Sequence, residues 1–308
     1  MPFDQTDGIW VGPSDRSSPL TLVARSGTAA PGAGGANFST FFKDPLVNEA
    51  GNVSFVDQLK GTGITSSNDT GLWTGNAGKL NLVARTGDHA PGTADGTVFS
   101  FPSSFDHALN NLGQVVFEGT VKGPGVDFSN DNGIWVYDPL KGTRLVAREG
   151  QTLQVSPTVA LTLKSLDLRT GASTGDGRAT SLSDDGHIAF TAGFTTGIDY
   201  AVLVADIGGI RPGDANQDGI IDGTDLKTLL TGLGEAGSFA DGDFNFDGTV
   251  NYRDFQLMEL NYGKSSPDAA GVPAAAMYLN DGAVPEPGAG GMLVIAVMGM
   301  HARRRGRA

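Results

Sequence analysis

The chain has 308 residues, a net charge of −13 and no cysteine. Its length suits one large or two modest domains, the lack of cysteine excludes disulfides, thiolate catalysis and zinc–thiolate sites, and nothing indicates the basic patch of a nucleic-acid binder. Its 46 glycines and 15 prolines, about a fifth of the chain, indicate many turns and short strands rather than long helices.

Three short patterns recur along the first two hundred residues. The copies are DGIWVG at 7–12, TGLWTG at 70–75 and NGIWVY at 132–137; LVARSG at 22–27, LVARTG at 82–87 and LVAREG at 145–150; and NEAGNVSF at 48–55, NNLGQVVF at 110–117 and SDDGHIAF at 183–190. A fourth GIW-like position is filled by YAVLVAD at 200–206. Short β-branched runs bounded by Gly, Asn and Asp indicate strands.

Each repeat therefore holds a GIW strand, an LVAR strand, a Phe-containing stretch and a GxVxF strand. Four strands in each repeat predict a mostly β fold of propeller-like blades, with a stacked β-solenoid as the alternative. Residues 48–55 and 110–117 resemble the NxxGxxAF motif of choice-of-anchor tandem-repeat proteins, which implies a bacterial surface protein. The chain starts inside a repeat and shows no apolar signal-peptide stretch, so we expect an upstream extension with further repeats.

One tryptophan and one arginine recur in each repeat. A large aromatic residue at the same place in every repeat is what core packing requires, so we predict core tryptophans, with sugar-stacking platforms as the alternative. We expect the recurring arginines to be structural as well and to pair with strand carboxylates. These residues are Trp10, Trp73 and Trp135, and Arg25, Arg85 and Arg148.

Two segments, loop 1 (214–225) and loop 2 (243–254), carry the most specific motif. Each has oxygen-bearing side chains at positions 1, 3, 5, 9 and 12 and glycine at position 6, which is the pattern of an EF-hand calcium loop with a carbonyl ligand at position 7. Calcium relieves the repulsion among clustered carboxylates, whereas magnesium demands strict octahedral geometry. The predicted ligands of two Ca²⁺ ions are Asp214, Asn216, Asp218, Ile220, Asp222 and Asp225, and Asp243, Asn245, Asp247, Thr249, Asn251 and Asp254.

A helical pattern follows each loop, and none precedes it. Apolar residues at helical spacing are Leu226, Leu229, Leu230 and Leu233 after loop 1, and Phe255, Met258 and Tyr262 after loop 2. Two loop–helix units within about fifty residues resemble a dockerin module over 213–263. The resemblance implies two calcium-binding units packed in antiparallel fashion and a cohesin domain as the partner.

Loop positions 10 and 11 face the cohesin in the best-known dockerins, where they carry small hydroxyl residues. Here they read Gly223-Thr224 and Tyr252-Arg253, so the identity of the partner does not carry over. Because Tyr and Arg are enriched at binding hot spots, we predict that a partner binds in one orientation through Tyr252 and Arg253. The alternative is a calcium-held stalk between the repeats and the C-terminal segment.

The C-terminal segment combines three elements in order. Pro-Glu-Pro is followed by a weakly apolar stretch at 288–300, too short to span a bilayer, and by the arginines at 303–305. This order resembles the PEP-CTERM sorting signal; a disordered basic tail is the alternative. The resemblance implies export, transient membrane anchoring and a surface or extracellular location. An exosortase-type protease would recognise Val284, Pro285, Glu286 and Pro287.

No catalytic constellation stands out in the sequence. The histidines show no metal-ligand spacing and the acidic residues no selective pairing; they are His89, His107, His187 and His301, and Glu49, Asp57, Glu118 and Asp127. The sequence favours a non-catalytic surface protein with a glycan- or protein-binding repeat domain. A cohesin-tethered glycoside hydrolase that acts on polysaccharides stays open as the alternative.

The predicted organisation has four parts. These are a tandem-repeat β domain at 1–207, a dockerin-like calcium module at 208–266, a linker at 267–283 and a sorting tail at 284–308.

Overall fold

The computed structural model describes residues 7–12, 17–100, 106–156, 158–168, 181–184, 186–195, 200–207, 211–264, 277–279 and 293–295. These residues are mostly β structure, which confirms the predicted class. The strands are β1 Gly8–Val11, β2 Thr21–Arg25, β3 Asn37–Val47, β4 Val53–Lys60, β5 Thr70–Asn76, β6 Lys79–Arg85, β7 Val98–Phe99, β8 His107–Leu109, β9 Val115–Lys122, β10 Asn132–Asp138, β11 Gly142–Arg148, β12 Thr152–Ser156, β13 Val159–Asp167, β14 His187–Phe194, β15 Tyr200–Asp206, β16 Met277–Leu279 and β17 Leu293–Ile295. The helices are α1 Gly223–Gly232 and α2 Tyr252–Asn261, with a 3-10 helix at Phe239–Asp241.

Antiparallel sheets follow one another along the repeats. β1 and β2 pair alone, β3 to β6 and β12 to β15 form four-stranded sheets in chain order, and β9 pairs with β7, β8 and β10 in a sheet completed by β11. Each complete sheet takes its Phe and GxVxF strands from one sequence repeat and its GIW strand from the next. The structural unit is therefore shifted by two strands from the sequence repeat, and β1 with β2 corresponds to the second half of a unit.

Apolar clusters join successive sheets. Ala24 of β2 packs in one cluster with Phe38 and Trp73 of the next sheet. Two further clusters join the second sheet to the third and the third to the fourth. Burial of these faces drives the association of the sheets, because each strand presents an apolar face that must be removed from water.

Trp73 and Trp135 fill the cores of their sheets, as predicted. Each indole stacks on the Phe of its GxVxF strand, with ring centroids 6.0 Å apart for Phe55 and Trp73 and 6.1 Å apart for Phe117 and Trp135. Both tryptophans are fully buried, whereas Trp10 is 47% exposed. The prediction of a core role is wrong for Trp10, because β1 pairs only with β2 among the described strands.

Two of the recurring arginines, Arg85 and Arg148, hold neighbouring loops. Arg85 Nε donates to the carbonyl oxygen of Asn68 at 2.8 Å, and Arg148 Nε donates to that of Asn130 at 2.6 Å. A structural role is confirmed for Arg85 and Arg148, whose hydrogen bonds go to carbonyl oxygens and not to the expected strand carboxylates. A guanidinium presents several N–H donors in a fixed fork, which suits the carbonyl oxygens of a tight loop.

The turns before the GxVxF strands, two of them Asn-x-x-Gly and the third Ser-x-x-Gly, stack into a turn ladder, which comprises residues 48–52, 110–114, 183–184 and 186–187. Asn48 Nδ2 donates to the carbonyl oxygen of Asn110 at 3.0 Å, and Asn110 Nδ2 donates to that of Ser183 at 3.1 Å. One side-chain amide therefore links each turn to the next.

Within each turn, the first side chain accepts a hydrogen bond from the fifth backbone N–H. The three distances, each 2.9 Å, are from Asn52 N to Asn48 Oδ1, from Gln114 N to Asn110 Oδ1 and from His187 N to Ser183 Oγ. The glycine of each motif has a positive φ of 82°, 71° or 84° at Gly51, Gly113 and Gly186. Glycine is favoured there because side chains with a Cβ rarely adopt this backbone conformation.

The two helices belong to the loop units that follow β15. No helix in the described part of the chain is long and apolar enough to cross a bilayer. β16 and β17 pair in parallel.

Candidate metal centre

Loop 1 runs directly into α1, and its last residues cap that helix. Asp222 is the N-cap residue, and its carboxylate accepts a hydrogen bond from Thr224 N at 2.7 Å. Asp225 is fully buried and accepts from Asp222 N at 3.0 Å and from Asn216 N at 3.2 Å. One carboxylate thereby satisfies N–H groups of both the loop and the helix start, which a helix terminus would otherwise leave unpaired.

Loop 2 repeats this arrangement at the equivalent positions. Asn251 is the N-cap residue of α2 and accepts from Arg253 N at 2.9 Å. Asp254 is fully buried and accepts from Asn251 N at 2.9 Å and from Asn245 N at 3.1 Å. Position 12 therefore closes both loops, which explains why an aspartate stands there in each.

The two loops follow the same backbone path. Gln217 and Phe246, both at position 4, have φ of 58° and 59°, and within the described chain no other non-glycine residue has a positive φ. Gly219 and Gly248, both at position 6, have φ of 84° and 92°. Non-glycine residues in this region cost on the order of 1 kcal/mol, so the loops hold a conformation that the local sequence alone disfavours.

Side-chain hydrogen bonds connect the predicted ligand positions within each loop with one another and with the glycine at position 6. The bonds join positions 1 and 6, 3 and 5, 3 and 12, and 9 and 12 in both loops. Ile220 and Thr249, at position 7, donate their N–H groups to Asp218 and Asp247 at 2.8 and 2.9 Å. Each predicted ligand set is therefore drawn together within one loop.

Asp214, at position 1 of loop 1, has a carboxylate oxygen without a hydrogen-bond partner. The side chain is 7% exposed, its Oδ2 accepts from Gly219 N at 3.0 Å, and its buried Oδ1 has no partner. Leaving a buried polar atom unpaired costs roughly 1–3 kcal/mol. A cation at this atom would remove that cost, so the residues present fit a bound metal ion.

The electrostatics of the loops agree with this fit. Burial, helped by the carboxylates of Asp247 and Asp254, raises the pKa of Asp243 to about 7. Burial also raises the pKa values of Asp214 and Asp254. Within the described residues, no three Asp, Glu, His or Cys side chains form a group that could hold a metal ion by themselves. An EF-hand loop draws on asparagine and carbonyl oxygens as well.

The two loop–helix units pair reciprocally. Gly263 N, just after α2, donates to the carbonyl oxygen of Ile221 in loop 1 at 2.9 Å. Gly234 N, just after α1, donates to that of Val250 in loop 2 at 2.8 Å. Both bonds involve loop position 8, so each helix end is tied to the other unit's loop.

The four predicted partner-binding residues lie in different surroundings. Gly223 and Thr224 are exposed in the first turn of α1. Tyr252 is 67% exposed, and its ring stacks on Phe255 with centroids 5.9 Å apart. Arg253 Nη1 donates to the carbonyl oxygen of Glu49 at 3.2 Å, so it contacts the repeat domain of the same chain.

Three residues of the repeat domain that the sequence reasoning missed bind loop 2 and the segment just before it. Asn52 Nδ2 donates to the carbonyl oxygen of Asn245 at 3.3 Å, and Asn76 Nδ2 donates to that of Phe246 at 3.2 Å. Lys79 Nζ donates to the carbonyl oxygen of Gly237 at 3.3 Å. We call Asn52, Asn76 and Lys79 the docking residues.

Leu112 of the turn ladder strengthens this contact by packing in the apolar core of the module. Beside it, a cleft of about 760 Å³ lies between the turn ladder and α2. Its walls include Glu49, Asn111 and Asp184 on the ladder side and Arg253, Leu257 and Asn261 on the helix side.

The other nominated residues are dispersed over the repeat domain. Asp57 is buried in β4, and His107 is buried in β8. Glu118 accepts hydrogen bonds from Asn132 Nδ2 and Leu168 N, Asp127 accepts from Ser129, and His89 contacts the carbonyl oxygen of Thr97. Glu49 and His187 lie in the turn ladder. The predicted sorting residues Val284, Pro285, Glu286 and Pro287, the arginines at 303–305 and His301 lie outside the described residues.

Comparison with known proteins gives one family. The chain belongs to the family of unknown function DUF7453, whose family model matches residues 2–206 and so ends at the last residue of β15. No curated protein and no solved structure matches the chain.

Proposed function

We propose that this DUF7453 chain is an exported bacterial surface protein in which a β-repeat binding domain carries a two-site, calcium-dependent attachment module. The observation that carries the proposal is the shared hydrogen-bond arrangement of loops 1 and 2, together with the unpaired buried Oδ1 of Asp214. Two equivalent loops that collect oxygen atoms at EF-hand spacing favour calcium.

The twelve predicted ligands would hold one Ca²⁺ ion in each loop. Bound calcium would supply positive charge to loops that contain seven carboxylates and would hold each loop against its helix start. Because calcium binding and folding of such a loop are coupled, removal of the metal should loosen the module. A cohesin-like protein or another surface protein is the partner that this module would attach.

The repeat domain is proposed to be propeller-like. The two-strand shift between sequence repeat and sheet, and the apolar clusters that join successive sheets, both favour neighbouring blades that pack against one another. Such a scaffold offers exposed loops for a glycan or protein ligand. The C-terminal sequence favours export and processing by an exosortase-type enzyme, as the order of its three elements indicates.

The alternative of a glycoside hydrolase is favoured by no observation in the described residues. A glycosidase needs two carboxyl groups that flank a substrate. Glu118 instead accepts a hydrogen bond from Leu168 N at 2.7 Å, and Asp127 accepts one from Ser129 N at 2.9 Å, so both carboxylates serve local structure.

Calcium titration of the full chain tests the proposal. Isothermal calorimetry after chelator treatment should find two Ca²⁺ sites, and Asp214→Ala and Asp243→Ala should each leave one. Asp127→Ala, which removes an exposed carboxylate outside the loops, is the matched control and should keep both. Two sites in either loop variant would show that the ligand assignment is wrong, and no binding to the unmodified chain would reject the calcium module.

A further inference from the structure

The second loop–helix unit is already engaged inside the chain. We propose that calcium in loop 2 latches the module onto the repeat domain, so that loop 2 is an internal docking site whose partner is the chain's own turn ladder and β5–β6 hairpin. This inference rests on the proposed calcium function, but it adds a role that the EF-hand pattern does not imply.

The contacts that carry the inference all lie on one unit. Asn52 and Asn76 reach the backbone carbonyls of Asn245 and Phe246, which are positions 3 and 4 of loop 2. From the module, Arg253 reaches back to the carbonyl oxygen of Glu49 in the turn ladder. Donors thus come from both sides of the interface, and every acceptor is a backbone carbonyl.

Backbone acceptors make the docking sensitive to the path of the loop. The carbonyl directions at positions 3 and 4 depend on Phe246, which holds a φ of 59°. Without a cation, the carboxylates of Asp243, Asp247 and Asp254 repel one another inside the loop, and this path is no longer favoured. With calcium bound, the loop is held, and its carbonyls point at the two asparagines.

Loop 1 differs in its surroundings. Asn216, Gln217 and Asp218 are exposed, whereas the equivalent residues of loop 2 are covered: Asn245 is 5% exposed, and Phe246 and Asp247 are half-buried. The two calcium sites should therefore have different effects. Metal in loop 1 holds its own helix, and metal in loop 2 also holds the module against the repeats.

Thermodynamic linkage gives the quantity to measure. If calcium in loop 2 strengthens docking, docking must strengthen calcium binding in loop 2 by the same factor. Removing two side-chain hydrogen bonds to the loop should weaken its calcium affinity by about tenfold, because a tenfold change in affinity equals the net contribution of roughly one to two hydrogen bonds.

The experiment uses the full chain and calcium alone as the probe. In an Asp214→Ala background, in which loop 2 is the remaining site, Asn52→Ala/Asn76→Ala should weaken Ca²⁺ binding by about tenfold in calorimetry. In an Asp243→Ala background, the same pair of substitutions should leave the affinity of loop 1 unchanged. Asn81→Ala, an exposed asparagine of β6, is the matched control. Asn76→Ala alone leaves the turn of Asn52 intact and should give about a threefold loss.

Hydrogen exchange supplies a second readout that does not depend on affinity. Calcium should slow exchange at residues 48–52 and 76–79 of the unmodified chain and of the Asp214→Ala variant, but not of the Asp243→Ala variant. If neither asparagine substitution changes calcium binding to loop 2, and chelator leaves exchange in these segments unchanged, the latch proposal is wrong. The proposal of a calcium module would still hold. Absence of calcium binding to the full chain would overturn both.

Discussion

Replacing Asp57 by asparagine should change how the stability of the repeat domain depends on pH. Asp57 is buried in β4, and its Oδ1 accepts from Gln58 N at 2.8 Å. Burial raises the pKa of this carboxyl group to about 7. Backbone hydrogen bonds from Gln58 and Ser39 and the charge of Lys60 oppose the rise, and the charge of Asp7 adds to it. The folded state therefore disfavours the charged carboxylate.

The direction of the effect follows from the raised pKa. A carboxyl group whose pKa is higher in the folded state than in the unfolded state costs little stability below the unfolded value of 3.8 and progressively more as the pH rises to about 7. Between pH 5 and pH 8 this group should remove roughly 2–3 kcal/mol of unfolding free energy. Asparagine does not titrate, so Asp57→Asn should lack this loss.

Urea denaturation of both proteins at pH 5 and pH 8 measures the effect. The difference in unfolding free energy between variant and unmodified chain should shift by roughly 2–3 kcal/mol in favour of the variant on going to pH 8. Asp127→Asn is the control: hydrogen bonds from Ser129 lower the pKa of that exposed carboxylate, so it is ionised in both states at pH 5 and pH 8 and its removal should give no shift between these pH values. An Asp57→Asn variant whose stability runs parallel to that of the unmodified chain at both pH values would refute the reasoning.

Four further substitutions test the structure of the repeats, each by the free energy of unfolding from urea denaturation. Trp135→Ala should cost about 3–5 kcal/mol because it empties a fully buried site, whereas Trp10→Ala should cost less than about 1 kcal/mol; equal costs would contradict the assignment of their surroundings. Asn110→Ala breaks the turn ladder and should cost roughly 2–3 kcal/mol, and a neutral result would show that the ladder does not stabilise the fold. Gly75→Ala should cost more than about 2 kcal/mol, since φ is 134° there and a Cβ would overlap the carbonyl oxygen of Lys79; a fully stable variant would show that the hairpin can shift.

Features that depend on near neighbours in the chain were predictable. The mostly β class and the positions of α1 and α2 after the loops are confirmed. Strand alternation, loop spacing and helix capping all act over about twelve residues or fewer, so one short window contains the whole pattern. The bonds from Thr224 N to Asp222 and from Asp222 N to Asp225 at the start of α1 are of this kind, because each joins residues within one helical turn.

Other features required the tertiary structure, because their partners are far apart in sequence. Trp10 and Trp73 stand in similar local sequences but differ in exposure, because packing across a sheet rather than the strand itself decides burial.

Asn52, Gln114 and His187 occupy the same place in three similar turns, yet Asn52 donates to a loop carbonyl 193 residues away and Gln114 to a carboxylate oxygen 24 residues away. By itself, the sequence determined which segments can form strands, capped helices and loops rich in oxygen ligands. Only the folded chain decided which of these surfaces meet, because burial and hydrogen bonding between distant segments depend on where the whole backbone places them.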